Sequence, residues 1–345
     1  MKKTISLLLV LALLCGLTAC SGAEDEPIAE STTTTATTTT TAPTKDLNPL
    51  TGEYTLEKGQ SSRPIGIMIA NDSDTIGNQA GLDKADLIVE TETEGAIPRL
   101  MAVFANAESI PDKLGPIRSA RSPFVASARA LGVLYCHAGG SVAAKATLQT
   151  NVLDHFDALT DSKTFWRDTQ LKNAIDFVHS VATSGTALKA KLDKSKYSDE
   201  SVKAFPLSFG EGTGTGLGAT VQIKTTASHT VTFKYDAESK TYSKNIGKID
   251  NCKAHKTIDG KALTFSNVIV LYAEKYAENS TTYNFRTGNG TGYLISGGTS
   301  REIKYTRSDD SLSITEINGS KALLKTGKTY VFIVDQNHRN NIVFQ

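Results

Sequence analysis

The sequence predicts a mixed α/β fold, a layered sandwich in its N-terminal part followed by a β-rich, mostly antiparallel C-terminal part. Three observations support this fold class. Apolar runs typical of buried strands alternate with helical spacing between residues 47 and 208. A glycine-rich stretch, FGEGTGTGLG, occupies 209–218 and is interpreted as a flexible junction. Short β-rich runs separated by turn residues then continue from 219 to 345.

Residues 1–20 are predicted to be a lipoprotein signal peptide. Lys2 and Lys3 precede an apolar segment of about ten residues, which is too short to span a bilayer. The following Leu17-Thr18-Ala19-Cys20 resembles a bacterial lipobox, in which the cysteine is lipidated and becomes the first mature residue. The alternative is an ordinary signal peptide with an incidental cysteine. We expect Cys20 to anchor the chain to the cell membrane, with the folded part on the extracytoplasmic side.

Residues 21–46 form a threonine-rich segment that is too poor in large apolar side chains to fold, and we expect a disordered tether. As a flexible coil it spans roughly 25–30 Å. Such tethers are typical of lipoproteins that stand clear of a membrane within a thick wall, which suggests a Gram-positive source. The formal net charge of +1 falls by two when Lys2 and Lys3 are removed, and no basic block remains. Nucleic acid is therefore not an expected partner.

Two of the four cysteines remain in the mature, folded part. Cys15 leaves with the signal peptide and Cys20 is the lipidation site. Cys136 lies in a predicted strand and is expected to be a buried thiol. A disulfide between Cys136 and Cys252 stays open as an alternative, because the sequence does not give their separation.

The predicted elements follow the apolar patterns in order. In the N-terminal part, strands are predicted at 64–70, 85–94, 99–105 and 133–137, and helices at 122–131, 141–150 and 175–192, the last interrupted near 184–185. Ser141 is placed as the N-cap of its helix. In the C-terminal part, strands are predicted at 230–235, 241–244, 267–273, 293–296, 302–306, 312–316 and 330–334.

The densest polar stretch is KLGPIRSARS at 113–122. Arg118 and Arg121 are three residues apart at the start of a predicted helix, with Ser119 between them, and would share a face if that turn is helical. Paired guanidinium groups suit a carboxylate or a phosphate. The equally weighted alternative is that both arginines pair with acidic neighbours and hold the loop.

A second motif, HAGGS, spans 137–141. A strand ends at His137, Gly139 and Gly140 follow, and a helix begins at Ser141. Glycines let the backbone approach a ligand closely, and free amides at a helix start favour an anion. A plain tight turn is the alternative. The two motifs together predict an anion-binding cleft at the carboxyl ends of the strands.

Two groups of acidic residues could pair with cations or bind a metal. Glu90, Glu92 and Glu94 alternate, so one strand face would carry three carboxylates that need cations, with Arg99 as a plausible partner. Asn71, Asp72 and Asp74 follow the first strand and could bind calcium through their oxygens, but they lack a full calcium-loop pattern, so we expect a solvated turn. The histidines lack zinc spacing, and we expect neither a metal nor a cofactor.

Several stretches resemble the YerB-like family of bacterial lipoproteins, a domain family of unknown function. The matching segments are NPLTG at 48–52, RPIGIMIAN at 63–71, ADLIVETETEGAIPRLMAVF at 85–104, LGPIRSARSPF at 114–124, YCHAGGS at 135–141, NVIVLYA at 267–273 and GKTYVFIV at 327–334. The resemblance covers nearly the whole mature chain and implies a layered α/β sandwich and an envelope location.

The resemblance also implies which residues match the family's motifs. They are Glu94, Arg99, Arg118, Ser119, Arg121, His137, Gly139, Gly140, Ser141, Arg167 and Asp168. Family members usually continue after the FWRD-like residues with an arginine and then Pro-His-Asn. Here Leu171 and residues 174–176 stand in those places, which puts that part of a family site in doubt.

The leading hypothesis is a lipid-anchored binding or accessory module of the cell envelope. Arg118 and Arg121 would supply charge and the HAGGS turn would supply amides for an anionic group on a wall polymer or a wall-synthesis protein. The alternative is an envelope hydrolase or transferase with His137 or Glu94 as general base. A structural partner with a flat contact patch is the third possibility.

Overall fold

The computed structural model describes residues 43–345, except 202, 213 and 227. The predicted signal peptide, Cys20 and the tether up to residue 42 lie outside the described residues. None of the described helices is both long and apolar enough to cross a membrane. Twenty-four strands and four α-helices are described, and the strands dominate.

The elements are numbered in chain order. The helices are α1 (Ser122–Leu131), α2 (Val142–Gln149), α3 (Thr169–Ala174) and α4 (Gly185–Leu192). The strands are β1 (Asp46–Asn48), β2 (Glu53–Leu56), β3 (Ile65–Ile69), β4 (Leu87–Glu94), β5 (Ile97–Phe104), β6 (Leu134–His137), β7 (His155–Asp157), β8 (Trp166–Arg167), β9 (Val181–Ala182), β10 (Ser208–Phe209), β11 (Gly216–Leu217), β12 (Thr220–Lys224), β13 (Thr230–Asp236), β14 (Thr241–Lys248), β15 (Asn251–Ala254), β16 (Thr264–Phe265), β17 (Asn267–Ala277), β18 (Tyr283–Arg286), β19 (Asn289–Ser296), β20 (Thr299–Ser308), β21 (Ser311–Glu316), β22 (Leu323–Leu324), β23 (Thr329–Asp335) and β24 (Ile342–Phe344).

A twelve-stranded mixed sheet forms the centre of the molecule. Its main path is β11-β20-β19-β17-β23-β4-β5-β3-β6-β7, with β18 and β21 attached to β17 and β20. Strand β23, near the C-terminus, lies parallel between β17 and β4. The sheet therefore contains strands from both predicted parts of the chain, joined at the β4–β23 pair.

Both faces of this sheet are buried, and successive side chains of a strand point to opposite faces. In β23, Tyr330 and Phe332 face one apolar cluster, whereas Val331 and Ile333 face the other. Helices α1 and α2 cover the second face, where Phe124 and Leu148 pack. Ser141 caps α2 as predicted, because its hydroxyl accepts a hydrogen bond from the Ala144 amide at 3.2 Å.

A six-stranded antiparallel sheet covers the first face. Its order is β15-β14-β13-β12-β24, with β16 paired to β14. Val231 and Phe233 of β13 and Phe265 of β16 join the same apolar cluster as Tyr330 and Phe332. Layers of helix, sheet and sheet confirm the predicted mixed α/β sandwich with its β-rich C-terminal part.

One predicted helix is wrong over most of its length. Residues 175–184 were expected to be helical, but they form a turn, a short 3-10 helix and strand β9, and only α4 is helical. Ser184 caps α4 by accepting a hydrogen bond from the Ala187 amide at 3.2 Å. The supposed interruption at 184–185 is therefore the start of the helix.

The glycine-rich stretch is packed against β20 and is not a free linker. A Cβ on Gly214 would lie 2.3 Å from the Ser300 carbonyl oxygen, and one on Gly218 would lie 2.5 Å from the Thr299 carbonyl carbon. These contacts leave no room for a side chain, so the glycines allow two backbones to approach. The predicted domain limits themselves stay a prediction.

A buried polar network joins the central sheet to the six-stranded sheet. Glu90 of β4 is fully buried and accepts a hydrogen bond from the Tyr330 hydroxyl. Its carboxylate lies 3.7 Å from Lys244 Nζ and 3.0 Å from His229 Nε2. Lys244 is fully buried and contacts His255 Nδ1 at 2.9 Å. Burial raises the pKa of Glu90, but the charges of Lys244 and His229 outweigh it and keep the carboxyl ionised.

Replacing Glu90 with glutamine leaves Lys244 buried without its carboxylate. We expect Glu90→Gln to lower the free energy of unfolding by about 3–5 kcal/mol, the usual effect of removing one partner of a buried pair. Urea denaturation measures this loss. The matched control is Glu274→Gln, since Glu274 pairs with Arg286 at 3.2 Å in an exposed position and should cost less than about 1 kcal/mol. Equal losses in the two variants would contradict the assignment.

Candidate functional site

The two predicted motifs meet at one edge of the central sheet. Strands β3 and β6 are parallel neighbours, so their carboxyl ends lie side by side. The Arg118 amide donates to the Met68 carbonyl of β3 at 3.0 Å, and the Arg118 carbonyl accepts from the Ala138 amide at 2.9 Å. The KLGPIRSARS segment therefore runs between the ends of β3 and β6, where open α/β sheets usually bind ligands.

Glu94 and two arginines form a tight ion cluster beside this edge. Arg121 donates to both Glu94 oxygens, from Nε at 2.7 Å and from Nη2 at 2.5 Å. Arg99 also donates to Glu94 and holds the Ser119 carbonyl at 2.9 Å. The predicted pairing of Glu94 with Arg99 is present, and Arg121 belongs to the same cluster. For Arg121, the loop-holding alternative describes the observed contacts.

The charges of this cluster are fixed at neutral pH. Burial raises the pKa of the Glu94 carboxyl, but the Arg121 hydrogen bonds and the charges of Arg99 and Arg121 outweigh it and lower the pKa below 4.5. Burial and the nearby Arg121 charge lower the pKa of Arg99 to about 10, so Arg99 stays cationic. Glu94 is therefore an ionised, hydrogen-bonded carboxylate without the raised pKa that a general base requires.

Arg118 differs from the other two arginines. It makes no salt bridge to any described residue, and its Nε is buried without a hydrogen-bond partner among them. Burial lowers its pKa, against the opposing effect of the Asp72 charge. The backbone from 118 to 121 is not helical, and Arg121 is the N-cap of α1 in an extended conformation. The two arginines are therefore not presented on one helical face, and Arg118 is the one of the three arginines that forms no salt bridge with a described residue.

The HAGGS turn uses its own amides internally. The Gly139 amide donates to Asp157 Oδ1 at 2.8 Å, and the Ser141 amide donates to the Ala120 carbonyl at 3.1 Å. Gly139 has a φ of 64°, and Gly140 bridges Ala120. The turn therefore positions the arginine segment, and these two amides are not available to an anion.

His137 is 1% exposed, and both ring nitrogens are engaged. Nδ1 lies 2.7 Å from the Gly139 carbonyl oxygen and Nε2 lies 3.1 Å from His155 Nδ1. Burial lowers the pKa of His137 below its usual value, so the ring is neutral at pH 7. A general base needs a nitrogen within reach of a substrate proton, and His137 offers none.

Arg167 and Asp168 lie apart from the arginine cluster. Arg167 is exposed, donates to the Phe177 carbonyl at 2.7 Å and stacks over the Phe177 ring. Asp168 caps α3 by accepting from the Leu171 amide at 3.0 Å and pairs with Lys113 at 3.1 Å. Both side chains stabilise the 166–183 segment.

The alternating glutamates each have a cation, as their spacing requires. Glu92 pairs with Lys275 at 2.9 Å, while Glu90 and Glu94 have the partners described above. Among the described residues, no group of three or more histidine, cysteine, aspartate or glutamate side chains could hold a metal ion.

A cleft of about 360 Å³ opens beside the end of β3, and sequence reasoning missed its key residues. Asn71, Asp72, the β4–β5 turn and His229 line it. The predicted solvated turn is correct at Asp74, which is exposed in a turn, but not at Asn71, which is 1% exposed. No sequence pattern indicated a role for His229, because its partner Glu90 is distant in the chain. The apolar residues that precede Asn71 in RPIGIMIAN were the sequence feature that could have indicated its burial.

The chain is similar to known proteins over most of its length. The N-terminal domain model of DUF3048, described as a protein of unknown function, matches residues 50–198, and the C-terminal domain model matches 220–331. The chain is 25% identical over 296 residues to "Putative lipoprotein YerB" of Bacillus subtilis (strain 168), covering 83% of this chain and 82% of that protein. The crystal structure of YerB from Bacillus subtilis has the same fold, with a TM-score of 0.74 at 24% identity, covering 87% of this chain and all of that one.

The arginine cluster predicts a pH-dependent stability difference. Because the folded-state pKa of Glu94 is lowered, its ion pairs stabilise the protein above about pH 4.5 and lose that effect as the pH falls through the lowered pKa. Urea unfolding of the parent and Glu94→Gln should show the parent more stable at pH 7, with the gap shrinking below pH 4.5. A gap that stays constant or widens on acidification would disprove the ionised cluster.

The two folded-part cysteines should differ in reactivity. Both are free; Cys136 is buried, as expected, and Cys252 is partly exposed. Burial raises the pKa of the Cys136 thiol, which disfavours the reactive thiolate. Titration of the native protein with a thiol reagent should label Cys252 quickly and Cys136 only on unfolding. Loss of the fast phase in Cys252→Ser is the control, and rapid native labelling of Cys136 would contradict its burial.

Proposed function

The chain belongs to the DUF3048 family, and we propose that it is a lipid-anchored extracytoplasmic protein that binds an anionic group beside Arg118. The anchor rests on the lipobox ending at Cys20 and on the name of the YerB relative, a lipoprotein. The tether at 21–46 would hold the sandwich away from the membrane. The ligand is a carboxylate or phosphate, carried by a wall polymer or by a partner protein of the envelope.

One observation carries the anion proposal. Three arginines surround one edge of the sheet, but Arg99 and Arg121 share a single carboxylate, Glu94. Arg118 has a buried, unpartnered Nε and no salt bridge within the described structure. Leaving a buried donor without a partner costs about 1–3 kcal/mol, and more for a charged group. An anion that binds Arg118 would remove this cost. It would also offset the repulsion between the Arg118 and Arg121 charges.

The surrounding contacts support a binding role over catalysis. The guanidinium groups of Arg99 and Arg121 donate hydrogen bonds to the backbone carbonyls of Ser119 and Ala120. The backbone that carries Arg118 is therefore fixed before a ligand arrives. Preorganisation of this kind reduces the entropy lost on binding. Neither Glu94 nor His137 has the geometry of a general base, so no observation favours the hydrolase or transferase alternative. The neighbouring cleft also argues against a flat contact patch.

Replacing Arg118 should weaken binding to purified wall fragments of the host bacterium. We expect Arg118→Gln in the full, detergent-solubilised chain to lose about tenfold or more in affinity, because a charge-assisted hydrogen bond is worth roughly 1.5–3 kcal/mol. Binding of the parent should fall with added salt. Co-sedimentation with the fragments measures both effects.

Arg129→Gln is the matched control, since Arg129 pairs with Asp310 at 2.7 Å on another surface. It should bind like the parent. If Arg118→Gln stays folded and retains parental affinity for the fragments and for acidic envelope proteins, the proposal is wrong.

A further inference from the structure

The cleft beside β3 is built by both predicted parts of the chain. Asn71 and Asp72 follow β3, Ile97 and Pro98 begin β5, and His229 precedes β13. Its volume of about 360 Å³ is at the lower end of the range for small-ligand sites, roughly 300–1,000 Å³. The proposed anion site does not use this space.

Asn71 is the decisive side chain of the cleft. It is 1% exposed, and neither its Nδ2 nor its Oδ1 has a hydrogen-bond partner among the described residues. Other buried asparagines in the structure are satisfied: Asn267 donates to the Lys325 carbonyl at 2.8 Å and accepts from the Lys325 amide at 2.9 Å. A buried amide with both groups unpaired is costly. Its position in the wall of a cleft indicates that a ligand supplies the missing partners.

The chemistry of the ligand follows from this amide. A carboxamide offers one acceptor and two donors in a plane, which matches a group that presents an N–H and a C=O side by side. A residue in an extended peptide presents its own N–H and C=O in this way, as in a hydrogen-bonded pair of antiparallel strands. The cleft also has apolar walls at Ile76, Ile97, Pro98 and Ile246, which suit a small apolar side chain.

The far wall holds the cleft in shape. His229 lies 3.0 Å from the buried Glu90 carboxylate. On the opposite side, Gln79 donates to the Ala70 carbonyl at 3.0 Å and contacts His255 Nε2 at 2.9 Å. The buried network therefore fixes both the residue before Asn71 and the wall that faces it.

We propose that the cleft between Asn71 and His229 binds an extended peptide segment, with Asn71 pairing with the N–H and C=O of one small apolar residue. The peptide unit is the recognised chemistry, and its source is either the peptide portion of a wall polymer or the exposed segment of an envelope protein. The binding is independent of the anion proposed beside Arg118, because the paired groups are uncharged.

The test uses the full, detergent-solubilised chain and a blocked, uncharged peptide, acetyl-Val-Ala-amide, in a ligand-observed NMR titration. The parent should bind it saturably at millimolar concentration. Two ester analogues test the recognised N–H: in one an oxygen replaces the alanine N–H, and in the other an oxygen replaces the valine N–H. One of the two should bind about tenfold more weakly than the parent peptide. Asn71→Leu should abolish saturable binding.

Stability distinguishes a binding asparagine from a structural one. Because the Asn71 amide is unpaired in the protein, Asn71→Leu should melt at the same temperature as the parent or higher. Asn267→Leu is the matched control; it breaks satisfied hydrogen bonds and should lower the melting temperature while the remaining folded protein still binds the peptide. Arg118→Gln should also bind the uncharged peptide normally. Failure of the anion proposal would therefore leave the peptide proposal untouched, and the reverse also holds.

Wall fragments identify the source of the peptide. The ligand belongs to the wall if the parent binds intact fragments and this binding is lost both after an amidase removes their peptides and in Asn71→Leu. The ligand belongs to a protein if the parent binds only the synthetic peptides. Both results support the site. Absence of saturable binding by the parent, or binding that Asn71→Leu leaves unchanged, would overturn it.

Discussion

The buried charge of Glu90 is the constraint on which the rest of the structure depends. A carboxylate with no exposure to water is tolerated only if cations and hydrogen-bond donors surround it. Strand β4 supplies the acid, β23 supplies the Tyr330 hydroxyl, and β14 supplies Lys244. The six-stranded sheet can therefore pack on the central sheet in only one register if these groups are to meet. Apolar burial alone would not impose that register.

The same constraint shapes the candidate site. His229 belongs to the network around Glu90, and Gln79 links the network to the chain beside Asn71. Most buried polar groups near this edge of the sheet are paired, including Glu94 with its two arginines. Arg118 and Asn71, which lie on neighbouring segments at the end of β3, are among the residues that have buried atoms without a hydrogen-bond partner. Unpaired polar groups concentrated at one preorganised edge are typical of binding surfaces, where the ligand completes the hydrogen bonds.

Local patterns predicted what depends on neighbours in the chain. The strands β3, β5, β17 and β23, helix α1 and the Ser141 cap agree with their apolar spacing and capping residues. Residues 175–184 failed because contacts with β8 and the 114–117 segment override a helical spacing. The partners of Glu90 come from residues more than a hundred positions away, so no local pattern could reveal them. The family resemblance identified the arginines by position, but only the geometry separates Arg121, which pairs with Glu94, from Arg118, which forms no salt bridge with a described residue.

Two-probe equilibrium unfolding tests most directly whether the buried network makes the two sheets one cooperative unit. Labelling of the Cys136 thiol, which is buried in β6, reports on the central sheet, and a fluorophore on Cys252 reports on β15 of the six-stranded sheet. Urea unfolding of the purified full chain, followed by both signals in the same sample, should give coincident transitions with one midpoint. A fluorophore transition clearly separated from the exposure of the Cys136 thiol would show that the six-stranded sheet unfolds on its own and would contradict the account.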